Sequence, residues 1–69
     1  MNQGLAESIG SQIRKVRKQE RISQEQLALL TGIDRSYLGR IERGEVSVTV
    51  EKLAQIAHVL KVDIKNLIP

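Results

Sequence analysis

Apolar residues in this chain recur at helical spacing in several separate stretches. Ile9, Ile13 and Val16 stand at i, i+4 and i+7 with basic residues filling the other face, the pattern of an amphipathic α-helix that ends near Gln19. Upstream, Met1 to Gly4 show no periodicity and read as a tail, with Leu5 folding back onto that helix. Ser23 followed by Gln26 predicts a capping box, because the hydroxyl accepts from a free amide while the Gln side chain reaches back to the cap. The helix it opens runs through Leu27, Ala28 and Leu30 to Thr31. It stops at Gly32, which adopts a left-handed conformation cheaply. After Ile33, Asp34 offers a second N-cap and an anion for the positive end of the next helix, which turns Leu38 and Ile41 inward and ends at Gly44. Ala28 and Gly32 are small where these two helices come close, so the pair can cross steeply as a helix-turn-helix over about residues 23–43.

The remainder follows the same logic. Val46, Ser47 and Val48 alternate over a stretch too brief to establish a strand. Thr49 caps a fourth helix in which Val50, Leu53, Ala54, Ile56, Ala57 and Leu60 share one broad face, with Glu51 in its first turn. Lys61 stands where the chain must turn, and Asp63 caps a last short helix from Ile64 to Ile68, before Pro69. The expected architecture is all-α, five helices around one core in a single domain over 1–69.

Size and composition narrow the function. A chain of 69 residues buries only about 60% of the surface its unfolded form exposes, so it needs further stabilisation. There is no Cys, and with one His no zinc cluster is available. Phe and Trp are absent too, which leaves an aliphatic core and a homodimer as the route to extra stability. No metal or other cofactor is expected. No apolar run approaches the roughly 20 residues that span a bilayer, and the start lacks the layout of a secretory signal, so a cytoplasmic location is expected. The net charge of +3 is modest, but its placement is not even. Arg14, Lys15, Arg17, Lys18 and Arg21 crowd one helix and Arg35, Arg40 and Arg43 another. An enzyme is excluded on inventory: no Cys, one peripheral His at position 58, and no paired acids in a plausible pocket.

The run Ser23-Gln24-Glu25-Gln26-Leu27-Ala28, the Ala28-x-x-x-Gly32 spacing, Leu38, and Ile41-Glu42-Arg43-Gly44 together resemble the Cro/C1-type (XRE-like) family of bacterial and phage DNA-binding regulators. The likeness extends from Ile9 to Leu67. Asp34-Arg35-Ser36-Tyr37-Leu38 with Ile41-Glu42-Arg43-Gly44 is also similar to the controller proteins of restriction-modification systems. The resemblance implies a lambda-repressor-like fold and a homodimer on a palindromic double-stranded DNA operator. It implies regulation by blocking RNA polymerase or recruiting it, with autoregulation where the controller likeness holds. It further implies a structural bridge, since in relatives an Arg of the first helix pairs with the Glu closing the recognition helix, and Arg17 and Glu42 fall on those positions.

In a helix-turn-helix the front of the second helix meets base edges in the major groove, which here nominates Arg35, Ser36, Gly39 and Arg40. A guanidinium bonds guanine O6 and N7 together, so Arg35 is the foremost base reader, with a phosphate contact as its plainer alternative. Arg40 reads a base or a phosphate, and Gly39 either lets the helix sit deeper or is simply tolerated. Gln24, at a free helix N-terminus, is placed to clamp a phosphate. Tyr37 reaches a phosphate through its hydroxyl or lies on the protein surface. Arg43, Lys15 and Lys18 are further phosphate candidates or ordinary solvated cations. Leu29 and Leu30 are either extra core or an apolar contact for another subunit or polymerase. Val46, Val48, Val59, Ile64 and Ile68 are candidates for the two-fold interface. The competing function is an antitoxin or adaptor module whose main partner is a protein.

Overall fold

The computed structural model describes residues 3–69, with side chains from residue 4 onward. Four α-helices, α1 (Gln3–Gln19), α2 (Gln24–Thr31), α3 (Arg35–Glu42) and α4 (Val50–Leu60), are followed by one 3-10 turn, Ile64–Leu67. No strand occurs among the described residues. The fold is therefore all-helical, with four α-helices and a 3-10 turn in place of the five helices expected. The last element falls short for a local reason. Asp63 caps it by accepting from the Lys65 amide at 3.1 Å, but Pro69 follows Ile68, and a residue before proline is driven out of the helical region. Ile68 is accordingly extended, at φ −108° and ψ 130°.

The other correction at a terminus is at the start. α1 begins at Gln3, so Gln3 and Gly4 belong to the helix and not to a tail, while Met1 and Asn2 lie outside the described residues. Leu5 does not fold back onto the helix; it is part of it, half-buried against the core on the face that Ala6, Ile9, Ile13 and Val16 continue. Burial of that longer face outweighs the poor helix propensity of Gly4.

Ser23 accepts from the Gln26 amide at 3.0 Å and Gln26 Oε1 accepts from the Ser23 amide at 2.8 Å, so both halves of the capping box are made. Gly32 then closes α2 at φ +72°. With only two turns, α2 buries Leu27 and Ala28 and leaves Leu29 and Leu30 on the opposite side, 82% and 61% exposed. The extra-core alternative for those two residues is thereby overturned. α4 likewise buries Leu53, Ile56, Ala57 and Leu60, while Val50 and Ala54 face solvent. Each residue turns the helix by about 100°, which carries Ala54 away from the stripe that Leu53 begins.

Three helices close the same way. Just past the last turn of α1, α3 and α4 one residue takes a left-handed conformation: Arg21 at φ 58°, Gly44 at φ 73° and Lys61 at φ 61°. The next amide then bonds back across the last turn, Ile22 to Arg17 O, Glu45 to Arg40 O and Val62 to Ala57 O. Only one of the three uses glycine, and there a side chain has no room: a Cβ on Gly44 would lie 2.6 Å from the Glu7 Cα.

Around a core of Ile13, Leu27, Leu38, Ile41, Ile56, Leu60 and Leu67, all essentially inaccessible, α1 packs on α3 and α4 packs on α2. Two contacts set where α3 lies. Gly10 of α1 is buried against the end of α3, where an added Cβ would collide with the Ile41 carbonyl oxygen and come within 2.7 Å of the Glu42 carbonyl oxygen. Beyond it, Arg17 Nε donates to Glu42 Oε2 at 2.9 Å and Nη2 donates to Glu42 Oε1 at 3.0 Å. The remaining arm, Nη1, donates to the Ile22 carbonyl at 3.0 Å, and the Gln24 amide donates to Glu42 Oε1 at 3.3 Å. With side chains only 10% and 3% exposed, the pair joins α1, the entry to α2 and the end of α3 in one network. No buried side-chain polar atom among the described residues lacks a partner.

Removing Glu42 would leave the Arg17 guanidinium buried without its counter-ion, a change that costs about 3 kcal/mol or more. Glu42→Ala should therefore lower Tm by more than about 10 °C in a calorimetric scan of the free protein; an unchanged Tm would remove the bridge from the account. Gly10→Ala should lower Tm as well, although alanine is the better helix former by about 1 kcal/mol, because the methyl meets backbone that cannot move aside. Lys61→Gly should raise Tm by a few degrees, since it relieves a left-handed residue that carries a Cβ.

Candidate nucleic-acid interface

α3 is held by one edge. Leu38 and Ile41 are fully buried and Asp34 caps the helix by accepting from the Tyr37 amide at 3.2 Å. Arg35, Ser36 and Arg40 are exposed on the other side. The helix thus presents a polar, mostly basic surface whose angle is set by Gly10 and the Arg17–Glu42 pair. Arg17 and Glu42 are the two members of the expected bridge, and the structure brings them together in bidentate geometry.

Of the four residues nominated for base edges, Gly39 is placed differently from the rest. It is buried, with the site of a Cβ lying 3.1 Å from Arg43 Nη1 and 3.5 Å from the Gln24 amide oxygen. The missing side chain leaves room for the ends of Gln24 and Arg43 beside α3, and the residue offers little exposed surface of its own.

The phosphate candidates separate in a similar manner. Gln24 is half-buried at the first position of α2, with its amide turned to Glu42. The Tyr37 ring is half-buried against the core, its hydroxyl lies 3.5 Å from the Ser47 carbonyl oxygen, and the Lys52 ammonium stands 5.9 Å from the ring centroid. Its polar end is directed at the connection between α3 and α4. Arg43, Lys15 and Lys18 are exposed, the last two on α1.

Every arginine on the exposed side of α3 has a carboxylate beside it. Arg35 Nε lies 3.7 Å from Glu25 Oε1, and Arg40 Nε lies 3.9 Å from Glu45 Oε1. Arg43 Nε donates to Glu45 Oε2 at 2.6 Å, with Nη2 3.5 Å from Oε1. The hydrogen bond from Arg43 holds the Glu45 carboxyl below the usual carboxylate range, with the charges of Arg43 and Arg40 adding to the effect. The same bond raises the Arg43 guanidinium above its ordinary value. Neither Glu25 nor Glu45 stands out in the sequence as a site residue. For Glu45 a signal existed: a residue just past a helix-ending glycine folds back on the last turn, which brings position 45 to Arg40 and Arg43.

The candidates for a two-fold interface do not behave alike. Val46, Val48, Val59 and Ile64 are half-buried against the chain's own core, and Ile68 is 46% exposed. Val59 lines a shallow hollow with Leu30, Ala54 and His58, whereas Ile68 lines another with Glu7, Ser8 and Gln12 of α1. Among the described residues no group of His, Cys, Asp and Glu could hold a metal ion, and no helix is long and apolar enough to cross a membrane.

The helix-turn-helix family HTH_3 matches residues 13–67. The control protein C.SmaI of Serratia marcescens is 34% identical over 64 residues, covering 93% of this chain and 76% of the relative. The control protein C.BamHI of Bacillus amyloliquefaciens is 33% identical over 60 residues, covering 86% and 74%. Among solved structures, the restriction-modification controller protein C.AhdI of Aeromonas hydrophila superimposes with a TM-score of 0.86 at 35% identity, over 90% of this chain and 94% of that one. Longer regulators match as well, and this chain spans 37–42% of the length of several of them. A match over most of the chain in sequence, together with the same fold, shows that this protein belongs to the helix-turn-helix (HTH_3, XRE-type) family of transcriptional regulators, a DNA-binding and non-enzymatic family.

Proposed function

We propose that this protein binds a palindromic double-stranded DNA operator as a homodimer and regulates transcription in the manner of a restriction-modification controller, its own gene included. The observation that carries the proposal is the exposed basic side of α3, with Arg35 and Ser36 at its front and Arg40 a turn further on, while Leu38 and Ile41 anchor the other side. The likeness to C.SmaI, C.BamHI and C.AhdI supports the controller role. Arg35 reads a base with Ser36 assisting it, Arg40 meets a base edge or the phosphate beside it, and Gly39 serves by letting Gln24 and Arg43 approach. Gln24, Tyr37, Arg43, Lys15 and Lys18 meet phosphates, for Gln24 through its place at the start of α2. Two copies joined through surface drawn from Val46, Val48, Val59, Ile64 and Ile68 set their recognition helices about 34 to 36 Å apart, one turn of the duplex. Exposed Leu29 and Leu30 are the proposed apolar contact for RNA polymerase.

Selection of bound sites from random duplexes at a fixed salt concentration, with mass measured in the same buffer, tests the proposal as a whole. It should return two inverted half-sites and the mass of two chains; a featureless pool or a single chain on the duplex would overturn it. In the same selection Arg35→Ala should relax preference at one base pair of each half-site, a loss of about 1 to 3 kcal/mol of discrimination. Unchanged preference would take base reading away from Arg35.

A further inference from the structure

Among the described residues, Glu45 is the one acidic group that stands between two arginines of the exposed α3 side. Its backbone is fixed, because its amide bonds to the Arg40 carbonyl at 2.9 Å as the helix closes at Gly44. From there the carboxylate takes the 2.6 Å bond from Arg43 and lies 3.9 Å from the Arg40 guanidinium. Arg43 also rests along the groove left by Gly39. The result is a small cup of two guanidinium groups, three residues apart on one helix face, closed by an oxyanion from the protein itself. A phosphate diester offers the same charge and the same pair of acceptor oxygens.

We propose that Glu45 is a specificity-determining residue: in the free protein its carboxylate takes the place between Arg40 and Arg43 that a DNA phosphate would take, and it thereby weakens binding to arbitrary duplex more than to the selected site. The inference rests on the proposed DNA-binding function. Two opposite effects produce the difference. The negative charge opposes any phosphate entering the cup, which lowers affinity for every duplex. On the selected operator Arg43 keeps its bond to Glu45 while meeting the duplex, so the rotamers that Glu45 fixes are already those this complex needs and less ordering is left to be done on binding. An arbitrary duplex is gripped by phosphate contacts alone and accepts many arrangements, so it suffers the repulsion without the compensating order.

The test compares the wild-type protein with Glu45→Gln, which keeps the shape of the side chain and removes its charge. Both are titrated against the selected operator and a random duplex of equal length, from 50 to 200 mM salt on the order used for such titrations. Glu45→Gln should bind the random duplex about 2- to 5-fold more tightly, change little on the operator, and so lower the ratio of the two affinities. Its salt dependence on random duplex should steepen by about one phosphate contact per subunit. Adding Arg43→Ala and Arg40→Ala together should abolish the gain, because Glu45 acts through those two side chains. Unchanged affinity for random duplex overturns the inference, as does an equal gain on both duplexes or a gain that survives loss of both arginines. If the wild-type protein binds neither duplex at 50 mM salt, the proposed function falls and takes this inference with it, a result distinct from an inert Glu45 in a protein that binds.

Discussion

Arg17 and Glu42 are charged groups withdrawn from water, and the orientation of the exposed helix depends on how they are satisfied. A buried ion pair stabilises little in net terms, because desolvation offsets most of the attraction, yet it is very costly to break. That asymmetry suits a positioning role. The planar guanidinium fixes direction as well as distance, with two arms on Glu42 and the third on the Ile22 carbonyl at the entry to α2. Gly10 supplies the complementary steric condition by letting α1 approach the carbonyls at the end of α3. One contact attracts and the other permits closeness, and together they leave α3 few alternative angles.

This arrangement matters more in a chain of this size. A 69-residue domain with no disulfide and no Phe or Trp has an aliphatic core and little surplus stability. Its stability is spread over N-caps, left-handed closures and aliphatic packing, each a modest contribution. The left-handed Arg21 and Lys61 show that closing the helix by backbone hydrogen bonds outweighs the strain of a Cβ in that conformation. At Gly44 the neighbouring α1 backbone makes the glycine obligatory.

The exposed side of α3 carries a different constraint. Its arginines are each accompanied by a carboxylate, so the surface is basic without being an open field of positive charge. Exposed pairs of this kind stabilise the fold very little. Their physical effect is on what the arginines are free to meet.

Local chemistry was legible from the residues alone. The capping residues Ser23, Asp34, Thr49 and Asp63 mark helix starts that the backbone follows, and Gly32 and Gly44 mark stops, because these signals act between residues close in the chain. The stripes of Ile9, Ile13 and Val16, and of Leu53, Ile56 and Leu60, likewise point to the core from periodicity alone. What the residues could not disclose depends on neighbours distant in sequence. The exposure of Leu29, Leu30 and Val50, the burial of Gly39 under Gln24 and Arg43, and the closeness of Gly10 to the end of α3 arise only when helices pack. Arg17 and Glu42 are 25 residues apart, and their pairing was foreseen through family likeness because nothing local requires it. Burial and close approach are properties of the assembled bundle, decided by which faces meet, whereas caps and stripes are written into consecutive residues.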